Sequence, residues 1–230
     1  MLNIIDKEDI KLDEPMKKHI SFRVGGPEDI LVKPRTEEQI AKVVKLLKEE
    51  NVPYIVIGNG SNLLVKDGGV RGVIIEISDN FNDFNIDGNI LDFTNEQMEF
   101  SYRRSILSRT DYIVLSAQIE LENGSYDEIK ATMADFTQRR VTKQPLSLPS
   151  AGSTFKRPEG HFAAKLIDDS GLRGLTLRGA QVSEKHCGFV VNLGNAKAKD
   201  ILDLMYIVKS TVKAKYGITL EEEVKILGED

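Results

Sequence analysis

In "PSAGSTFKRPEG", residues 149–160, a hydroxyl at Ser153 follows Ala151 and Gly152, and two cations, Lys156 and Arg157, come directly after Phe155. Small residues let a ligand approach the backbone closely, and an ammonium and a guanidinium hold anions in different ways. The segment reads either as an anion pocket containing a hydroxyl or as a turn with a capping serine. A nucleophilic serine would need an adjacent base, and no G-x-S-x-G elbow is present.

Other residues could carry chemistry. "VIGNGSN" is a Gly-rich loop after an apolar run, with Gly58, Asn59, Gly60, Ser61 and Asn62 able to offer backbone N–H groups to a phosphate. A bare hairpin turn explains the same composition, and the loop lacks the glycine spacing of a dinucleotide fingerprint. "RRVTKQP" sets Arg140 and Lys143 three apart at a helix end, either as cations favoured by the dipole or as paired anion contacts. Arg103 in "FSYRRSI" and Glu223 in "LEEEVKI" are, by type alone, ordinary surface charges. His186 and Cys187 read as packing or hydrogen-bonding residues.

Composition excludes several classes. The chain has 230 residues, 40% hydrophobic and 29% charged, enough to fold around a sizeable core as one large domain or two small ones. A net charge of −5 argues against a nucleic-acid binder but leaves room for a local basic pocket. Cys187 is the only cysteine, and His19, His161 and His186 are scattered, so neither a disulfide nor a structural metal centre is expected. No apolar run approaches the ~20 residues a membrane crossing needs. The acidic start "MLNIIDKEDIKLDEP" lacks the basic opening of a secretory signal, so the expected location is the cytoplasm.

The elements that must position these residues fall into three regions. In the first, Thr36 and Gln39 form a capping box, and Ile40, Val43, Val44 and Leu47 recur at helical spacing up to Asn51 and Pro53. With "DILVKP" before and "YIVIG" after, residues 28–58 read as a β-α-β unit. "LLVKDGGVRGVIIEI" looks like two short strands around a Gly-Gly turn.

The second region, about 79–140, reads as mostly β. "YIVLSAQIEL" alternates like a strand, and a helix then opens at Ser125 with Glu128 completing a box and Ile129, Met133 and Phe136 on one side. The third region holds a strand "GFVVNL", a helix burying Ile201, Leu204, Met205, Val208 and Val212 and stopped by Gly217, and a final strand beside "LEEE".

Taken in order, "SFRVGGP", "VIGNGSNLLVKDGGVRGVII", "FSYRRSI", "RRVTKQP", "PSAGSTFKRPEGHFAAKLID", "GAQVSEKHCGFVVN", the "NAKAKDILDL" helix and "LEEEVKILGED" closely resemble the UDP-N-acetylenolpyruvoylglucosamine reductase family, the MurB flavoenzymes of peptidoglycan synthesis. Each motif is weak alone; the ordered set covers nearly every residue from about 15 onward.

The resemblance implies an α+β fold, with a two-part FAD-binding domain of the vanillyl-alcohol-oxidase (PCMH) type and a C-terminal substrate domain. The boundaries it implies are 1–78 and a shortened 79–142 for the two FAD-binding parts, 143–217 for substrate, and 218–230 for a strand returning to the active site. It implies FAD and NADPH as cofactors and UDP-N-acetylglucosamine enolpyruvate as the small-molecule partner, in a cytoplasmic enzyme of cell-wall biogenesis, cell shape and division. Oligomeric state is not implied.

Residue by residue, Gly58, Asn59, Gly60, Ser61 and Asn62 match the pyrophosphate loop and Arg140 a second FAD contact. Lys143 matches a substrate lysine, with Lys156, Arg157 and Arg173 as further candidates for the substrate's anionic groups. Ser153 matches the proton donor, and Arg103 and Glu223 the remaining active-site pair, which would stabilise charge on the substrate carboxylate.

One departure is large. In the family a long segment with G-I-P-G-x-x-G-G-A and N-A-G-A-Y-G motifs separates the strand read here as "FNDFNIDGN" from "FSYRRS", whereas here "NIDGNILDFTNEQMEFSYRR" joins them almost directly. Two expectations follow: a reductase with a shortened flavin site and weakened FAD affinity, or a flavin-free remnant that only binds a UDP-sugar. The uncovered apolar surface favours aggregation or a partner chain.

Overall fold

The computed structural model describes residues 1–77, 91–110 and 112–230. The strand expected at 81–89 lies outside the described residues. The first region is a four-stranded sheet in the order β1-β2-β5-β3, built from β1 (Ile10–Pro15), β2 (Pro27–Val32), β3 (Tyr54–Ile57) and β5 (Val70–Glu76). β1 runs antiparallel to β2, and β2 and β3 both run parallel to β5. The expected β-α-β unit is β2, α1 (Glu37–Glu49) and β3.

Helix α1 begins where Thr36 accepts the Gln39 N–H, and the Gln39 side chain accepts from Arg35 N one residue before the cap. The box therefore closes one residue early. Val43 and Leu47 of α1 pack with Val32, Val73 and Ile75 of the sheet, and Ile40 is buried too.

The two strands read around Gly68-Gly69 both form, but they join different sheets. β4 (Leu63–Val65) pairs in parallel with β9 (Lys225–Leu227), while β5 stays in the first sheet. Gly69 permits this split: its φ is +87°, and a Cβ would stand 1.8 Å from the Pro27 carbonyl oxygen.

The third region has α3 (Ala163–Asp169), an antiparallel sheet of β6 (Thr176–Leu177), β7 (Ala180–Val182) and β8 (Val190–Asn192), and α4 (Ala198–Tyr216). Helix α3 was not apparent from the sequence pattern. Ile201, Leu204, Met205, Val208 and Val212 of α4 are buried as expected, each contributing roughly 1.5–3 kcal/mol by its removal from water. Gly217 ends the helix at φ +72°. Its first N–H groups are capped from far away in the chain, Asp67 accepting from Ala198 N and Lys199 N at 3.0 Å each.

One apolar cluster runs from Met16, Phe22 and Leu64 through Phe155 and Ile167 to Leu204 and Leu220, so the first and third regions share a core.

The second region departs from its expectation. The "YIVLSAQIEL" run forms no strand over 112–121, and Val114, Ile119 and Leu121 are exposed. A strand needs neighbours to pair its backbone and cover its apolar face, and no described strand lies beside this one. The helix after it, α2 (Tyr126–Lys143), does form, with Ser125 at its cap position but no side-chain cap bond. Every residue of α2 is exposed.

Candidate functional site

The Gly-rich loop leaves the C-terminal end of β3, where a parallel strand aims its following loop toward ligand. Gly60 is held at φ +57°, and a Cβ there would lie 2.3 Å from the His19 carbonyl oxygen. Ser21 N–H donates to the Gly60 carbonyl, and the Ser21 hydroxyl to the carbonyls of Ser61 and, at 2.7 Å, Ser150. Among the described residues, none of the N–H groups from Gly58 to Asn62 meets an acceptor. Gly58, Asn59 and Ser61 are exposed. A rigid loop with outward N–H donors and no side-chain obstruction suits a pyrophosphate.

Asn62 links that loop to the C-terminal strand. Its side-chain amide donates to the Glu223 carbonyl at 3.1 Å, and its own carbonyl accepts from Lys225 N at 3.0 Å. Glu223 N–H donates to the Thr154 carbonyl, while Thr154 itself is buried, with its N–H on the Gly188 carbonyl and its hydroxyl accepting from Val190 N. Ser153 sits between this anchor and Gly152, which adopts φ +75° with open space around it. The hydroxyl of Ser153 is exposed and hydrogen-bonds to no described residue. The scaffold thus fixes the Ser153 backbone and leaves its side chain available.

Arg103 meets Glu223 across a 2.5 Å ion pair, and its guanidinium lies 5.5 Å from the centre of the Tyr102 ring. Arg103 has φ +58°, a left-handed conformation that costs a non-glycine residue roughly 1–2 kcal/mol. The turn holding it is pinned by mutual Ser101–Arg104 backbone hydrogen bonds. Tyr102 continues the cluster, its hydroxyl accepting from Arg157 N at 3.4 Å.

A cavity of about 320 Å³ opens here, lined by Arg103, Arg104, Lys156, Arg157, Tyr102 and Glu221 among others. Lys156 reaches Glu221 at 3.2 Å, and the Arg157 guanidinium stacks 3.9 Å from the Phe162 ring centre. These four cations outnumber the two carboxylates on the same wall, Glu159 and Glu221, so the cavity is net positive despite the chain's acidic balance. The sequence reading missed Arg104, whose only signal was its place beside Arg103.

The other cationic candidates stand elsewhere. Arg173 lies by a second cavity with Lys165, Lys185 and Cys187, its guanidinium bound to both Asp168 oxygens and to the Glu184 carbonyl. Arg140 and Lys143 occupy the exposed last turn of α2, where Lys185 donates to the Val141 carbonyl. Neither lines the four-cation cavity. Cys187 is packed inside, and burial pushes its thiol up to about 11, which suits a packing role.

Two family models match the chain: an FAD-binding domain over residues 27–94 and the UDP-N-acetylenolpyruvoylglucosamine reductase C-terminal domain over residues 144–227. A UDP-N-acetylenolpyruvoylglucosamine reductase of Clostridioides difficile is 55% identical, with 100% of this chain and 97% of that protein aligned. The chain belongs to the UDP-N-acetylenolpyruvoylglucosamine reductase family.

A Clostridium perfringens member is 43% identical over 98% of this chain and 95% of its own. The crystal structure of the Thermus caldophilus member (MurB) superposes with a TM-score of 0.72 at 25% identity, covering 95% of this chain and 98% of that one. The Clostridioides difficile alignment spans 295 positions against the 230 residues here, so that relative carries internal sequence this chain lacks. The residues between the two matched domains, 95–143, contain both Arg103 and the uncovered helix α2.

Proposed function

We propose that the chain reduces the enolpyruvyl ether of UDP-N-acetylglucosamine enolpyruvate to the lactyl ether of UDP-N-acetylmuramate, using FAD and NADPH, as a step of peptidoglycan precursor synthesis in the cytoplasm. The observation that carries this reading is the convergence of Arg103, Glu223 and the Ser153 segment beside a four-cation cavity, with Asn62 joining them to the glycine loop. The nearly full-length match to named reductases does not favour the flavin-free alternative.

The loop from Gly58 to Asn62 would hold the flavin's pyrophosphate, with Arg140 as a second contact. When bound and reduced by NADPH, FAD would supply a hydride for C3 of the enolpyruvyl group. The remaining chemistry belongs to the protein. Negative charge then develops on the substrate carboxylate, and Arg103, oriented by Glu223, stabilises it. Ser153 gives C2 its proton, which balances the addition across the double bond. Lys156 and Arg157, on the cavity wall, bind the substrate's anionic groups, whereas Arg173, already satisfied by Asp168, holds α3 to the loop after it.

The test is an absorption spectrum of the purified protein followed by an NADPH-oxidation assay with the substrate. A band near 450 nm, at about 10⁴ per molar per centimetre and one flavin per chain, with substrate-dependent turnover is expected. Absence of the band after FAD addition would overturn the reading. FAD is expected to bind more weakly than to the longer Clostridioides difficile relative, measurable by titrating the apoproteins side by side.

A further inference from the structure

Phe162 is a large apolar side chain left 57% exposed, outside both apolar clusters, at a point where its backbone is tightly held. As the residue before α3 it accepts through its carbonyl from Lys165 N and Leu166 N at 3.0 and 3.1 Å, and the helix it opens is anchored by buried Ala163, Leu166 and Ile167. The turn before it closes from His161 N to the Pro158 carbonyl, with Gly160 at φ +69°, and so returns the chain to Arg157. Burial does not account for the ring, but its neighbour does. The Arg157 guanidinium lies over the ring face, 3.9 Å from its centre, and Arg157 Nε donates to the His161 carbonyl at 3.3 Å. One face and one N–H of the guanidinium are thus taken, and among the described residues its two terminal nitrogens meet no acceptor.

Charge singles out the same residue. Of the four cavity cations, Arg103 is paired with Glu223 and Lys156 with Glu221, whereas Arg104 and Arg157 meet no carboxylate among the described residues. Of these two, Arg157 is the one whose guanidinium is held, by Phe162 and His161. Two N–H donors on a fixed plane match two phosphate oxygens.

We infer that Phe162 is a positioning residue, its ring holding the Arg157 guanidinium flat so that the two terminal nitrogens grip the diphosphate of the substrate. The inference rests on the UDP-sugar substrate proposed above, not on the flavin. Preorganisation supplies the gain, since an unsupported arginine gives up rotamer freedom on binding.

UDP is the probe, because its binding reads the diphosphate contact with or without flavin. In calorimetry of the full chain, Arg157→Ala is expected to weaken UDP about 20-fold, and Phe162→Leu, which stays apolar but lacks the ring face, about tenfold. Phe162→Tyr, which keeps the face, is expected to stay within about twofold of the parent. In the Arg157→Ala background Phe162→Leu is expected to cost nothing further, since the ring then has nothing to hold. During turnover Phe162→Leu is expected to raise KM about tenfold and to leave kcat within about twofold. Three results would each overturn the inference: UDP affinity indifferent to Phe162→Leu, an equal loss in Phe162→Tyr, or a loss that persists without Arg157, which would make the ring a stacking platform for the uracil base. A parent chain that binds no UDP would overturn it too. A chain that lacks flavin and turnover but whose UDP affinity follows the expected pattern supports the inference while sinking the reductase reading.

Discussion

Arg103, which lines a cavity with three further cations, meets Glu223 of the C-terminal segment in a 2.5 Å ion pair. Glu223 is mostly buried at 17% exposure, whereas Arg103 is 54% exposed, so the carboxylate acts as the fixed member and aims the guanidinium. Arg103→Ala is expected to lower kcat by about 10²–10³, the usual cost of losing one preorganised group that stabilises developing charge. Glu223→Gln, which keeps the shape but loosens the aim, is expected to cost less. Steady-state NADPH oxidation with the enolpyruvyl substrate reads both, and an unchanged kcat for Arg103→Ala would remove it from the mechanism.

Ser153 presents a hydroxyl with no described protein partner on a backbone anchored by Thr154. Ser153→Ala is therefore expected to leave the fold and substrate affinity nearly intact and to depress turnover by about 10²–10⁴, the range for a lost general acid. Calorimetry of substrate binding beside single-turnover kinetics separates the two. An equal loss in affinity and rate would assign Ser153 to binding instead.

Gly60→Ala places a methyl 2.3 Å from the His19 carbonyl oxygen at a φ of +57°. The loop must move or the substitution must strain the backbone, at a cost of at least about 1–2 kcal/mol. Flavin affinity is expected to fall sharply, with a lower melting temperature, while the same change at Gly152, where nothing lies within 4 Å of the added carbon, costs only the left-handed strain. Flavin fluorescence titration of the two variants checks this contrast.

Glu28 is wholly buried on β2 and neither carboxylate oxygen has a hydrogen-bond partner among the described residues. Burial pushes its pKa up to about 7 from an ordinary 4.5. Because the folded value is the higher one, the stabilisation from holding the proton is fully present below 4.5 and is lost as pH rises through about 7. Nearby His19, its pKa raised chiefly by the hydrogen bond it donates to the Glu76 carboxylate, moves stability in the same direction. Glu28→Gln is expected to match the parent near pH 5 and to be more stable near pH 8, by an amount on the order of 3 kcal/mol at about 1.36 kcal/mol per pKa unit. Melting curves at the two pH values decide it; a constant difference would show that ionisation of Glu28 is not the cause.

The β-α-β unit and α4 were legible because their apolar residues recur at clean periods between ordinary stop signals, and those residues are the ones buried. The alternation over 112–121 was equally clean and misled, since a strand is a property of its neighbours as much as of its sequence. Helix α3 was hidden by its brevity, at seven residues. In the site, the glycine loop and the Ser153 segment were visible as local motifs. The pairing of Arg103 with Glu223, the Asn62 link and the satisfaction of Arg173 by Asp168 were not, because each depends on contacts between distant or differently oriented segments.

The pairing of β4 with β9 also sets an order of events during synthesis. A ribosome delivers the glycine loop early, yet Lys225 and Glu223, the groups that Asn62 holds, emerge only after α4 has been made. Until then Leu63–Val65 is an open strand edge and the loop after β3 lacks its brace. Pairing of the loop with the C-terminal strand is thus the last folding event of a nascent chain, and a ribosome stalled between residues 62 and 223 leaves a chain that contains the glycine loop but neither its brace nor the Arg103–Glu223 pair.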